Sequence, residues 1–361
     1  MNDYNCGCAP EILARLTKEN LTPHVGYGSD EITKEAAQKI LDAAGVPEGG
    51  VYFAAGGTQA NSIVISHFLK TYQGVICAQT GHINCHEAGA IEAMGHKVLT
   101  LPEKDKVSAA ALETYLKAFY EDESYTAMVQ PGMVYISHPT EYGSLYTLSE
   151  VEAIRTVCNT YGLPLYIDGA RLGYALAAKE NELTLQDLAR LSDAFYIGGT
   201  KVGALLGEAI VFPKGMDKLF PTHAKRQGAM LAKGFVPAIQ FSELFTDHLY
   251  ERLGRHGIDM AMELKKGLLE KGYALHIDSY TNQQFVILPE KVVQALRENV
   301  DFEVWERKDE DTLVVRFVTS WSTKKRGCGK NCFPSCKFLY RVKSQKKKRP
   351  SGEGHRKGQK K

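Results

Sequence analysis

A chain of 361 residues, 44% apolar and 24% charged, has the composition of an ordinary folded protein and is long enough for one large domain with a smaller one beside it. No uninterrupted apolar run approaches the roughly 20 residues needed to cross a bilayer, and no basic-then-apolar signal pattern opens the chain; this argues against a helical membrane protein and makes the cytoplasm the default location. The formal net charge of +2 hides two unlike parts, because residues 324–361 carry 15 Lys or Arg and one acid, Glu353, whereas residues 1–323 carry 29 basic and 41 acidic residues.

Between residues 30 and 212, stretches of helical period alternate with short apolar runs. The pattern predicts helices at 31–44, 58–71, 83–94, 108–120, 149–161 and 184–191, and strands at 51–54, 75–78, 97–101, 133–137, 164–167, 193–197 and 208–212. Such alternation predicts an α/β fold with a mostly parallel sheet. Residues 222–270 read as long helices, and the apolar runs 284–288 and 312–318, with a helix at 289–298, predict a small α+β domain. From Lys325 onward acids, helical period and a core face are all missing, and the Ser/Gly/Lys-rich stretch 344–361 is expected to be disordered. Five cysteines in the body, Cys6, Cys8, Cys77, Cys85 and Cys158, have no metal spacing and suit reduced thiols. Cys328, Cys332 and Cys336 with His355 fit no structural-zinc spacing well.

Several polar residues sit where the apolar runs stop, which in an open α/β sheet is where ligands bind. Lys201 follows the run 193–197, and Asp168 ends the run 164–167 with Arg171 three residues on. A buried lysine of lowered pKa condenses with an aldehyde, and a carboxylate can hold a pyridine nitrogen protonated so that the ring accepts electrons. Together these are the chemistry of pyridoxal 5'-phosphate (PLP). A salt bridge from Asp168 to Arg171, or a helix cap, is the plainer alternative for the acid. Gly56-Gly57-Thr58, after the strand 51–54, could bring backbone amides to a phosphate, or could be a turn capped by Thr58. It lacks the dinucleotide spacing and the Gly-Lys-Ser/Thr ending of a nucleotide loop. His82 follows the run 75–78, where an imidazole can stack on a ring or simply end a helix. With His86 and Glu87 it could also bind zinc, although neither usual zincin order is present. Arg316 interrupts the strand 312–318, where it either grips an anion or faces water from a sheet edge.

From about Asn2 to Thr323 the chain resembles the low-specificity L-threonine aldolase family of fold-type I PLP enzymes, the beta-eliminating lyase and threonine aldolase group. The resemblance rests on Asn2-Asp3-Tyr4, Val25-Gly26-Tyr27-Gly28-Ser29-Asp30-Glu31, Ala55-Gly56-Gly57-Thr58-Gln59-Ala60-Asn61, Gly81-His82-Ile83-Asn84-Cys85-His86-Glu87-Ala88-Gly89-Ala90, Ile167-Asp168-Gly169-Ala170-Arg171, Gly199-Thr200-Lys201 and Arg316-Phe317-Val318-Thr319. It implies a large PLP-binding domain over 31–250 with a seven-stranded sheet, and an incomplete small domain over 251–323. Residues 1–30 would contribute to the site and to a subunit interface. By the same resemblance Lys201 carries the cofactor, Gly57 and Thr58 hold its phosphate, His82 stacks on its ring and moves protons, and Asp168 meets its ring nitrogen. Glu87 would be the acid near the substrate hydroxyl, Arg171 would lie near the cofactor's 3'-oxygen or the substrate carboxylate, and Arg316 would bind that carboxylate. Tyr27 and Lys233 match positions that face a neighbouring subunit's site, implying a homo-oligomer, dimer or tetramer. Where relatives commonly follow Ala-Lys-Gly with an arginine, this chain has Ala232-Lys233-Gly234-Phe235, leaving Lys233 alone for that contact.

The implied reaction is cleavage of L-threonine or L-allo-threonine to glycine and acetaldehyde. The rivals are β-elimination from a cysteine- or tryptophan-like amino acid and, outside enzymes, nucleic-acid binding by Lys346-Lys347-Lys348-Arg349. The abrupt composition of residues 324–361 is what an out-of-frame reading of coding sequence would yield.

Overall fold

The computed structural model describes residues 2–297 and 300–324. Every expectation about the tail beyond Lys324, including its cysteines and its basic run, lies outside the described residues. Seven strands form the main sheet: β1 (Gly50–Ala54), β2 (Gln73–Cys77), β3 (Val98–Thr100), β4 (Gln130–Ser137), β5 (Leu165–Asp168), β6 (Ala194–Gly198) and β7 (Glu208–Phe212), in the order β1-β7-β6-β5-β4-β2-β3. All neighbours pair in parallel except those of β7, which runs against β6 and β1. The α/β expectation with a mostly parallel seven-stranded sheet is therefore met.

The apolar runs are continuous because both faces of the sheet are covered. Successive residues of β4 alternate between two separate buried clusters: Val134 and Ile136 join Ile167, Phe195 and Val211, while Met133 and Tyr135 join Tyr166, Tyr196 and Ile210. The second cluster is closed by the helix Gly57–Phe68, through Ala60, Ile63 and Val64. On this face the tyrosines of β4, β5 and β6 stand in a row, with ring centroids 6.0 Å apart for Tyr135 and Tyr166 and 6.4 Å for Tyr166 and Tyr196. Their hydroxyls put polar atoms into an otherwise apolar layer.

After helices Phe220–Arg226, Phe235–Leu244 and Leu249–Glu270, a four-stranded antiparallel sheet follows, from β8 (Ala274–Leu275), β9 (Gln283–Pro289), β10 (Glu303–Arg307) and β11 (Thr312–Val318), in the order β10-β11-β9-β8. The helix Glu290–Arg297 packs Val292, Val293 and Leu296 against Val286, Leu288, Val315 and Phe317 of that sheet. No helix among the described residues is long and apolar enough to cross a membrane.

One predicted helix breaks. Residues 83–94 form two short pieces, His82–Cys85 and Ala90–Ala93, because Ala88 and Gly89 take left-handed backbone with φ of 51° and 73°. That kink turns Glu87 inward, where it is 6% exposed.

Candidate active site

Because β7 runs against the rest, the C-terminal ends of β1, β2, β4, β5 and β6 share one sheet edge with the start of β7. Gly56-Gly57-Thr58, His82 with Glu87, Ser137 with Glu141, Asp168, Lys201 and Glu208 all issue from that edge.

A chain of hydrogen bonds joins Asn61 of the helix Gly57–Phe68 to residues at the ends of β2, β4 and β5. Asp168 Oδ2 accepts from Tyr135 Oη at 2.6 Å and from Asn61 Nδ2 at 3.0 Å. Asn61 Nδ2 also donates to Glu87 Oε1 at 2.7 Å, and that oxygen lies 2.7 Å from His82 Nδ1. The His82 backbone N–H donates to Glu141 Oε1 at 2.8 Å, Ser137 Oγ donates to the same oxygen at 2.7 Å, and Ser137 Oγ lies 3.2 Å from Tyr135 Oη. Asn61 completes its own set by accepting from Tyr166 Oη at 3.1 Å. Hydrogen-bonded networks of this kind hold side chains rigidly in a medium of low dielectric. Burial pushes the Asp168 carboxyl up, but nearby His82 and the hydrogen bonds of Tyr135, Tyr196 and Asn61 outweigh it and hold the group below the usual carboxylate range. The expected alternative partner, Arg171, is absent from this set. Glu87 Oε2 is buried and without a hydrogen-bond partner among the described residues. An orphaned acceptor of this kind costs free energy unless a ligand supplies its donor.

Lys201 sits on a loop fixed from several sides. Gly199 N–H donates to Glu208 Oε2 at 3.0 Å, Gly207 N–H donates to Thr200 Oγ1 at 3.1 Å, and the Lys201 carbonyl accepts from Tyr174 Oη at 2.7 Å. Burial and the neighbouring Arg171 lower the Lys201 pKa, against the pull of Asp3, Asp168 and Glu208. The direction favours a free amine, the form that attacks carbonyls. The helix Gly57–Phe68 starts at Gly56 with no side-chain cap, so Thr58 lies inside the first turn rather than capping it. A Cβ at Gly56 would meet nothing within 4 Å. Helix-start N–H groups without a side-chain cap fit a phosphate.

The two arginines have acidic partners that sequence spacing did not reveal. Arg171 Nε and Nη2 bond both oxygens of Asp3, at 2.7 and 3.2 Å, and Asn282 Nδ2 donates to the same carboxylate at 2.9 Å. Arg316 lies on β11, between β9 and β10, and is 8% exposed, so the edge-strand reading is overturned. Its Nη1 donates to Gln283 Oε1 at 2.8 Å, its Nη2 donates to Glu303, its guanidinium stands 5.1 Å over the Trp305 ring, and its buried Nε has no partner among the described residues.

Tyr27 and Lys233 stand apart from this cluster. Tyr27 has left-handed backbone, is 55% exposed and lies under Lys225 Nζ at 4.6 Å, and its N–H donates to the Ala232 carbonyl beside exposed Lys233. His82 and His86 stand 5.6 Å apart ring to ring, and no group of three or more His, Cys, Asp or Glu among the described residues could hold a metal ion. The spacing of the chain left Asp3, Asn61, Glu141, Glu208 and Glu303 unassigned. Burial raises both Glu141 and Glu208 to about 7. Glu208 opens β7 as Asp168 closes β5, and the reversed direction of β7 brings both acids to one sheet edge.

A buried lysine of lowered pKa, a buried carboxylate held below its usual range and an uncapped helix start share one sheet edge, and the fold around them is that of the fold-type I PLP enzymes. The chain belongs to the beta-eliminating lyase family, whose model matches residues 7–291. It is 31% identical to the low specificity L-threonine aldolase of a Pseudomonas strain over 90% of this chain and 92% of that protein. It is 30% identical to the protein of the same description from Pseudomonas aeruginosa, over 82% and 86%. Among solved structures, the threonine aldolase of Leishmania major superimposes with a TM-score of 0.88 at 40% identity, covering 96% of this chain and 98% of that one. An aspartate aminotransferase of Thermus thermophilus, at 13% identity and a TM-score of 0.67, shares the fold.

Proposed function

We propose that this protein is a carbon-carbon lyase that uses PLP to cleave L-threonine or L-allo-threonine, and related β-hydroxy-α-amino acids, into glycine and an aldehyde. The observation that carries the reading is the unpartnered Glu87 Oε2, a buried acceptor fixed by Asn61 and His82 on the same edge as Lys201 and Asp168. β-Elimination from another amino acid does not call for an acceptor at the substrate's hydroxyl. The names of the relatives, L-threonine aldolases from several organisms, support the same choice.

When bound, PLP supplies an aldehyde for the substrate amine and a ring that draws electrons from Cα. Lys201 would hold it by the amine, the open amides around Gly57 and Thr58 would hold its phosphate, and Asp168 would meet its ring nitrogen. His82, anchored through Nδ1 to Glu87 and through its backbone N–H to Glu141, would stack its imidazole on the cofactor ring. Glu87 Oε2 takes the proton of the β-hydroxyl, so that the Cα–Cβ bond breaks with an aldehyde leaving. Arg316 binds the substrate carboxylate through its unpartnered Nε and the adjacent Nη2. Arg171, fixed by Asp3, adds positive charge beside Lys201.

We read the molecule as a homo-oligomer, dimer or tetramer, in the cytoplasm, in which Tyr27 and Lys233 reach a neighbour's site. Leu21, Val25 and Leu219 are 92%, 65% and 68% exposed, which suits a covered surface. The test of the reaction is product analysis with L-threonine: glycine and acetaldehyde in equal amounts are expected. Pyruvate and ammonia from cysteine, with threonine untouched, would overturn the assignment.

A further inference from the structure

Arg316 is held by three neighbours that differ in mobility. Gln283, fully buried on β9, fixes Nη1 at 2.8 Å. Trp305 lies beneath the guanidinium at 5.1 Å and is itself wedged edge-on against Phe285 and Tyr142, at 5.2 and 5.5 Å. Both hold the arginine in place. The third partner is Glu303, directly opposite Arg316 in the β10–β11 register, whose side chain is 49% exposed. Glu303 reaches only Nη2 and leaves the adjacent buried Nε unpaired. A carboxylate engaging Nε and Nη2 together would make the planar two-point contact that one Glu303 oxygen does not make. A cleft of about 310 Å³ opens here, walled by Asn2, Tyr4, Asp301, Glu303 and Arg316.

We propose that Glu303 is an internal stand-in for the substrate's carboxylate, which occupies Arg316 Nη2 in the free enzyme and must be displaced when an amino acid binds. The swap involves ionic contacts alone: the Glu303 carboxylate turns to water and the amino acid carboxylate takes Nη2 and Nε. Glu303 is the partner that can leave, because a half-exposed acid regains hydration that Gln283 and Trp305 cannot. The fixed arginine keeps its geometry throughout. Burial and nearby Arg171 pull the Arg316 guanidinium below its usual range and Glu303 opposes them, so an anion at this position favours the charged guanidinium. Glu303 supplies that anion between turnovers, and its negative charge sets a threshold against weakly held acids. The proposal rests on the reading of Arg316 as the carboxylate clamp.

The experiment measures glycine binding to the PLP-loaded full chain, by the change in the cofactor's visible absorbance and by calorimetry, for the wild type, Glu303→Gln, Glu303→Ala and Arg316→Leu. Glycine carries the carboxylate and has no Cβ to cleave, so affinity is read without turnover. Removing a competing half-exposed acid should tighten glycine binding by about two- to five-fold in both Glu303 variants, while Arg316→Leu weakens it at least about ten-fold. Unchanged or weaker binding in the Glu303 variants, with the Arg316 effect intact, overturns the swap and makes Glu303 a support for the clamp. Unchanged binding in Arg316→Leu overturns the clamp as well.

Discussion

Replacing Asp3 by alanine should destabilise the protein more than any exposed acid can, although the residue lies in an N-terminal segment outside the sheet. Asp3 is 1% exposed and takes three charge-assisted or polar hydrogen bonds, two from Arg171 and one from Asn282. Burial pushes its carboxyl up, but Arg171 and Lys201 more than offset that and keep it below the usual value. In Asp3→Ala the Arg171 guanidinium stays buried without its anion, while Asn282 still donates to the Thr319 carbonyl at 2.9 Å. Breaking a buried pair by removing one partner costs about 3–5 kcal/mol. For a protein of this size that is a fall in Tm of about 4–7 °C. The assay is a thermal melt of the PLP-loaded chain followed by circular dichroism, with Glu31→Ala as control, since the Lys34–Glu31 pair is 66% and 86% exposed and should shift stability by at most about 1 kcal/mol. Asp3→Ala combined with Arg171→Met, which removes both charges, should recover much of the loss. A single Asp3→Ala variant that melts with the control would refute the claim that this ion pair ties the N-terminal segment to the site.

Asp168→Asn should weaken PLP binding and lower turnover together, because the amide cannot hold a ring nitrogen protonated; an unchanged cofactor Kd would remove Asp168 from that role. Burial raises the Glu141 carboxyl from 4.5 to about 7, so between those values the folded chain keeps a proton that the unfolded chain has released. Its stabilisation is complete below about pH 4.5 and is lost as pH rises to about 7, on the order of 3 kcal/mol. Glu141→Gln should reduce the fall of Tm across that window, and an unaltered slope would place the proton elsewhere. A Cβ at Gly169 would sit 1.9 Å from the Tyr196 carbonyl oxygen; Gly169→Ala should sharply cut soluble yield, whereas Gly162→Ala, at φ of +66° with open space around it, should cost only about 1 kcal/mol.

The strands are readable because burial on both faces makes them short unbroken apolar runs, as in 133–136 and 209–212. Period failed at 83–94, where two consecutive left-handed residues break a helical pattern without a proline to announce it. Lys201 and Asp168 are visible as polar residues that follow such runs, whereas Glu208 opens its strand and reaches the same edge only because β7 runs against its neighbours. Asp3 and Asn61 carry no local signal. Asp3 meets an arginine 168 positions away, and Asn61 is one polar residue on a helix face that becomes meaningful only when packing sets it between Glu87 and Asp168. Glu303 likewise acquires its partner through the β10–β11 register, which apolar alternation does not specify.

Covalent attachment of PLP to Lys201 is the step on which the proposed chemistry depends. The PLP-loaded chain should absorb in the visible, and after borohydride reduction and proteolysis the pyridoxyl group should be found by mass spectrometry on Lys201, with a folded Lys201→Ala variant showing no covalent cofactor. A label on a different lysine, or a folded, PLP-supplied wild-type protein that stays colourless, would contradict it.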